Sequence, residues 1–150
     1  MKEIIQLEKI SKEYDHKRII NQIDLSIYEG QSIVFTGHNG SGKSTVLKII
    51  AGLVKPSGGR VVYRDRLLFH YVPERFPKMS LTAWQYLKRM GEIDGIPRKV
   101  LEDRCENLFE DFFLTEMVNT SMKDLSKGTL QKIGVIQALL RKPQVLLLDE

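Results

Sequence analysis

The chain has 150 residues, 42% of them hydrophobic and 28% charged, with a formal net charge of +4. That length fits one folded domain, and no apolar run approaches the roughly 18 residues needed to cross a bilayer as a helix. The single cysteine, Cys105, excludes an internal disulfide and suits a reducing compartment, while the modest positive charge suits a phosphate ligand or an anionic membrane surface and does not by itself argue for nucleic acid.

Met1-Lys2-Glu3 leads straight into patterned sequence, with no secretory apolar segment. Ile5 and Leu7 alternate with Gln6 and Glu8, and Ile23, Leu25 and Ile27 alternate with Asp24, Ser26 and Tyr28. Both patterns predict half-buried strands of period two. Ile33-Val34-Phe35 reads as a fully buried parallel strand. Gly37-His38-Asn39-Gly40-Ser41-Gly42-Lys43-Ser44-Thr45 follows, and Val46, Ile49, Ile50 and Leu53 then mark one helical face, with Gly52 as its stop.

Strand, glycine-rich loop and helix are the setting that a phosphate-binding loop requires. The glycines let successive N–H groups turn inward toward phosphate oxygens, and the helix N-terminus adds partial positive charge. Lys43 would reach the β- and γ-phosphates, and the Ser44 hydroxyl would bind Mg²⁺. The bland alternative is a glycine-rich turn between a strand and a helix. Every motif position is filled and both flanks fit, which weighs against it.

Pro56-Ser57-Gly58-Gly59 reads as a turn, and residues 60–72 as two strands broken near Arg64-Asp65. Beyond Pro73 the period changes. Leu81, Trp84, Leu87 and Met90 recur at helical spacing, and a second helix is expected with Pro97 in its first turn. The stripe Leu101, Cys105, Leu108 and Phe112 places Cys105 on an apolar face as a packing residue. A further helix is expected over 127–141, then Pro143 and a strand over 145–148 that ends in Asp149-Glu150. An acidic group there can hold Mg²⁺, and the next carboxylate can polarise an attacking water. Leu125-Ser126-Lys127-Gly128-Thr129, followed by Gln131-Lys132, precedes the last helix. Its plain reading is a Ser126 N-cap.

Together these motifs resemble the nucleotide-binding domain of ABC transporters over the whole chain, with Ser126 and Asp149 standing 23 positions apart as in that family. The resemblance implies an α/β fold: a phosphate-loop NTPase core whose mixed sheet carries N-terminal antiparallel strands, with an inserted helical subdomain. The core would span about residues 1–75 and 126–150, and the helical subdomain about 76–125. The C-terminal part of the core, with its switch histidine, is expected to be missing. His16, His38 and His70 do not occupy that place.

The resemblance also implies ATP and Mg²⁺ as cofactors. Residues 37–45 would bind nucleotide, Ser44 and Asp149 would hold the metal, and Glu150 would be catalytic. Tyr14 would stack on adenine. Glu74, where the family more often has Gln, would sense the γ-phosphate. Ser126, Lys127, Gly128 and Thr129 would reach the ATP held by a partner subunit in a head-to-tail homo- or heterodimer. The partners implied are a transmembrane permease subunit and that second cassette, with no nucleic acid. The location implied is the cytoplasmic face of the membrane. Glu74 and Lys127 resemble a branch of bacterial exporters. A truncated, non-hydrolysing nucleotide-binding remnant and a soluble non-transport ABC protein are the alternatives. A simple nucleotide kinase would have no use for the 125–129 signature.

Overall fold

The computed structural model describes residues 1–149, so Glu150 and its expected catalytic role lie outside the described residues. The chain divides into two compact units, one of residues 1–69 with Asp149, the other of residues 70–148.

In the first unit, β1 (Glu3–Tyr14) and β2 (Lys17–Tyr28) form an antiparallel hairpin. β3 (Gly58–Tyr63) pairs with the other edge of β1, giving the order β2-β1-β3. Ile5, Leu7 and Ile10 of β1 are fully buried, opposite Ile27, Leu25 and Ile23 of β2. The hairpin turns at Asp15-His16, both at positive φ (46° and 62°), the turn hand that follows the strands' own twist. The pairing is irregular midway. There Lys9 takes φ 47° and its N–H donates to Asp24 Oδ1 at 2.8 Å. Gly59, at φ 78°, lies against the carbonyls of Glu8 and Lys9, where a Cβ would collide with backbone. The expected turn over 56–59 therefore ends early, because Gly58 and Gly59 already belong to β3.

α1 (Lys43–Ile50) buries Val46, Ile49 and Ile50, and the chain leaves it through Gly52 at φ 73°. Tyr63 Oη donates to the Ile50 carbonyl at 2.9 Å and ties β3 to the end of this helix. The segment before it corrects the sequence expectation. Residues 33–35 form no strand, and Val34 is 83% exposed. A strand exists only where a neighbour completes its hydrogen-bond ladder, and among the described residues no strand pairs with this segment. Its apolar composition alone cannot supply those partners.

In the second unit, β4 (Phe69–Val72) and β5 (Val145–Leu148) form a two-stranded sheet. Around a single core lie α2 (Ala83–Ile93), α3 (Arg98–Asp111), two short 3₁₀ turns and α4 (Lys127–Leu140). Thr82 and Gln85 form a reciprocal capping box at the start of α2. Pro97 is the N-cap of α3, one residue outside the helical turn it was expected to open. α2 and α3 approach closely where Gly91 meets Leu101. Ala83, Leu87, Leu101, Cys105, Phe109, Met122, Ile133 and Ile136 are fully buried in the shared core. Burial pushes the Cys105 thiol up to about 11, with Glu102 and Glu106 adding to the shift, so it packs as a neutral side chain. Arg104 Nη1 donates to the Leu140 carbonyl at 2.6 Å, placing a cation at the C-terminus of α4 where the helix dipole favours one.

Candidate functional site

The loop that opens α1 is shaped by its glycines. Gly40 (φ 82°) and Gly42 (φ 97°) occupy backbone conformations that side-chain-bearing residues rarely adopt. At Gly42, a Cβ would also press on Ile19 and Ile20 of β2. Gly42 is the N-cap of α1 and accepts from the Val46 N–H at 2.9 Å, so the loop runs directly into the helix N-terminus. Ser41 N–H donates to the His38 carbonyl at 3.2 Å. His38 and Asn39 are exposed at the tip, where His38 Nδ1 contacts the Asn39 carbonyl. Lys43 Nζ lies within the loop's own curve, donating to the carbonyls of Gly37 (2.7 Å) and His38 (3.0 Å). A positive point charge is thereby held in the loop that leads into the N-terminus of α1, a setting that favours an anion.

Ser44, next in the chain, donates from Oγ to Asp149 Oδ1 at 2.7 Å across 105 positions of sequence. A hydroxyl and a carboxylate oxygen at one spot are hard oxygen ligands of the kind Mg²⁺ takes. No cluster of three His, Cys, Asp or Glu that could hold a metal occurs among the described residues. The pair fits an ion whose remaining ligands are phosphate oxygens and water, the usual habit of Mg²⁺. Thr45 follows Ser44 in the first turn of α1.

Tyr14 ends β1, 44% exposed, with Lys12 Nζ 4.9 Å from its ring centroid. Lys12 also donates to the Lys55 carbonyl at 2.9 Å. The sequence reading passed over Lys12. Its signal was the two-residue spacing from Tyr14, which puts both on one face of β1.

The remaining predicted residues belong to the second unit. Ser126 caps α4: its Oγ accepts from the Thr129 N–H at 3.1 Å and contacts Thr129 Oγ1 at 2.9 Å. Gly128 sits in the first helical turn, and a Cβ there would meet nothing within 4 Å. Glycine costs a helix about 1 kcal/mol relative to alanine, and nothing packed among the described residues requires it at this position. Glu74 lies beyond β4, its carboxylate 3.6 Å from Lys127 Nζ and its carbonyl accepting from Gln131 Nε2 at 3.3 Å. The sequence reading noted Gln131 but assigned it no contact. His70, on β4, has its protonation disfavoured chiefly by burial and further by Arg141, against the opposing pull of Asp94.

A glycine-shaped loop opening a helix, with its lysine held in the curve and a distant carboxylate on the following serine, defines the phosphate-loop class of nucleotide-binding folds. The chain belongs to the ABC transporter family, whose sequence profile matches residues 20–150. It is 32% identical over 160 residues to an uncharacterized ABC transporter ATP-binding protein, YdbJ of Bacillus subtilis, covering 98% of this chain and 50% of that one. It is also 32% identical over 149 residues to the zinc import ATP-binding protein ZnuC of Acinetobacter baylyi, covering 99% of this chain and 55% of that one. A solved ATP-binding subunit of an ABC transporter superposes with a TM-score of 0.83 at 25% identity, covering 98% of this chain and 66% of the other. The chain thus spans about half the length of these two relatives.

Proposed function

We propose that this chain carries the ATP-binding and part of the hydrolytic machinery of an ABC transporter, acting with a separate membrane subunit. The observation that carries this reading is the Ser44–Asp149 hydrogen bond at 2.7 Å beside a loop that holds Lys43 in its curve. In this reading residues 37–45 bind the triphosphate, and Tyr14 stacks on the base. Ser44 and Asp149 hold Mg²⁺, which would offset the charge that builds up in phosphoryl transfer. Glu150 polarises the attacking water. Ser126, Lys127, Gly128 and Thr129 face ATP held by a second cassette. The bare Cα of Gly128, open to its surroundings, supports an approach by another molecule. Glu74 is the residue proposed to respond to the γ-phosphate. The core is proposed to comprise about residues 1–75 and 126–150, with the helical subdomain about 76–125.

The working location is the cytoplasmic face of a membrane. No helix among the described residues is long and apolar enough to cross the bilayer. Export is the direction favoured by Glu74 together with Leu125-Ser126-Lys127-Gly128. Of the two relatives named above, ZnuC is named for import and YdbJ for neither direction, so the proposed direction rests on those residues.

Lys43→Ala in the full-length protein tests the reading. Removing a charge-assisted contact to phosphate should weaken Mg-ATP binding on the order of a hundredfold, measured by calorimetry, since such contacts are among the strongest polar interactions. Unchanged affinity would remove the phosphate-loop assignment.

A further inference from the structure

α4 takes hold of residue 74 twice. Lys127 Nζ lies 3.6 Å from Glu74 Oε1, and Gln131 Nε2 donates to the Glu74 carbonyl at 3.3 Å. Lys127 and Gln131 stand one helical turn apart, so a single face of α4 grips both the side chain and the backbone of this residue. The ion pair is open to solvent, with the lysine side chain 69% and the glutamate 49% exposed, and such pairs add little to stability. Helix physics does not favour the lysine either. It is the first residue of α4, where the dipole disfavours a cation, and the first turn contains no acid to offset it. What Lys127 does is local: it sets a cation 3.6 Å from a carboxylate in a segment assigned to sense a triphosphate.

We propose that Lys127 and Gln131 are positioning residues for Glu74. Gln131 fixes the backbone, and Lys127 offsets the charge of the side chain, so that Glu74 meets Mg-ATP with part of its repulsion from the phosphates relieved. This rests on the nucleotide-sensing reading of residue 74 given above. It has a second consequence. Lys127 directly follows Ser126, so an anion arriving at the start of α4 competes with Glu74 for the same ammonium. Occupancy at 126–129 then changes the charge presented at 74, which links two segments assigned to different ATP molecules.

The test is a double-mutant cycle on steady-state ATPase activity of the full-length protein. Lys127→Ala should raise the KM for Mg-ATP about two- to fivefold, the range an exposed ion pair can carry, with a smaller change in kcat. In a Glu74→Gln background, the same substitution should change KM by less than half that factor. Lys127→Arg should retain the original KM, and added salt should shrink the Lys127→Ala effect. An equal effect in both backgrounds, or none in the unmodified one, overturns the proposal. Lys43→Ala, measured alongside, separates the two readings. If it leaves Mg-ATP binding intact, the nucleotide site itself is misassigned and both fall. If it abolishes binding while the cycle is additive, only the positioning role falls.

Discussion

Ser44 and Asp149 lie 105 positions apart in the sequence and share one hydrogen bond. If both hold Mg²⁺ as proposed, two oxygen ligands set on one spot act on the cation jointly. Ser44→Ala and Asp149→Asn should each raise the Mg²⁺ concentration needed for half-maximal nucleotide binding, on the order of tenfold or more, the scale of losses seen when groups supporting a metal are removed. The double variant should be little worse than the weaker-binding single one, since ligands of one ion are not independent. Multiplicative losses in a Mg²⁺ titration would mean that the two side chains serve different partners. Both residues could be read from sequence, Ser44 from its place after the loop lysine and Asp149 from the apolar run before it. The hold on Lys43 could not. Its Nζ donates to two backbone carbonyls, and the positions of those carbonyls depend on the φ angles of the loop, which residue types constrain without fixing.

Elements with a strong period were legible almost to their ends. The helix expected over 127–141 is observed as Lys127–Leu140, because six of its residues are buried and the helical period is unbroken. The strand expected over 33–35 failed because a short apolar run records a tendency to be covered, while strand formation depends on a neighbour that local sequence does not name. The Asp15-His16 turn also escaped, since neither residue is the glycine that usually marks positive φ in a hairpin. Gly91 is a case where element-scale packing overrides propensity. Alanine in a helix gains up to about 1 kcal/mol over glycine. Here the new Cβ would overlap the side chain of Leu101, which is fully buried on α3. Overpacking of this kind costs about 1–3 kcal/mol, so Gly91→Ala should lower the midpoint of thermal unfolding. Adding Leu101→Val should recover part of the loss, and a raised midpoint for Gly91→Ala alone would show that the two helices separate easily.

At the scale of the whole molecule, the residues assigned to nucleotide fall in two compact units. The phosphate loop and Asp149 belong to one compact unit, and Ser126, Gly128, Glu74 and Lys127 to the other. The sequence reading joined them through family resemblance, a relation that neither hydrophobic period nor loop chemistry expresses. If residues 126–129 serve the ATP of a second cassette, Mg-ATP should hold two copies together without this segment contributing to binding in either copy alone. Gly128 allows those two roles to be separated. A Cβ there meets nothing within 4 Å, so a side chain can leave the helix without an immediate clash, and in the proposed arrangement it would stand where another subunit's phosphates approach. Gly128→Trp in the full-length protein should therefore leave Mg-ATP affinity at low protein concentration within about twofold, since no contact within the subunit is altered. It should abolish the nucleotide-dependent doubling of mass expected in sedimentation with a slowly hydrolysed ATP analogue. If the variant still doubles its mass, residues 126–129 lie outside the interface. If affinity falls in the dilute, monomeric protein, the segment serves its own subunit's nucleotide, and the head-to-tail arrangement is wrong for this chain.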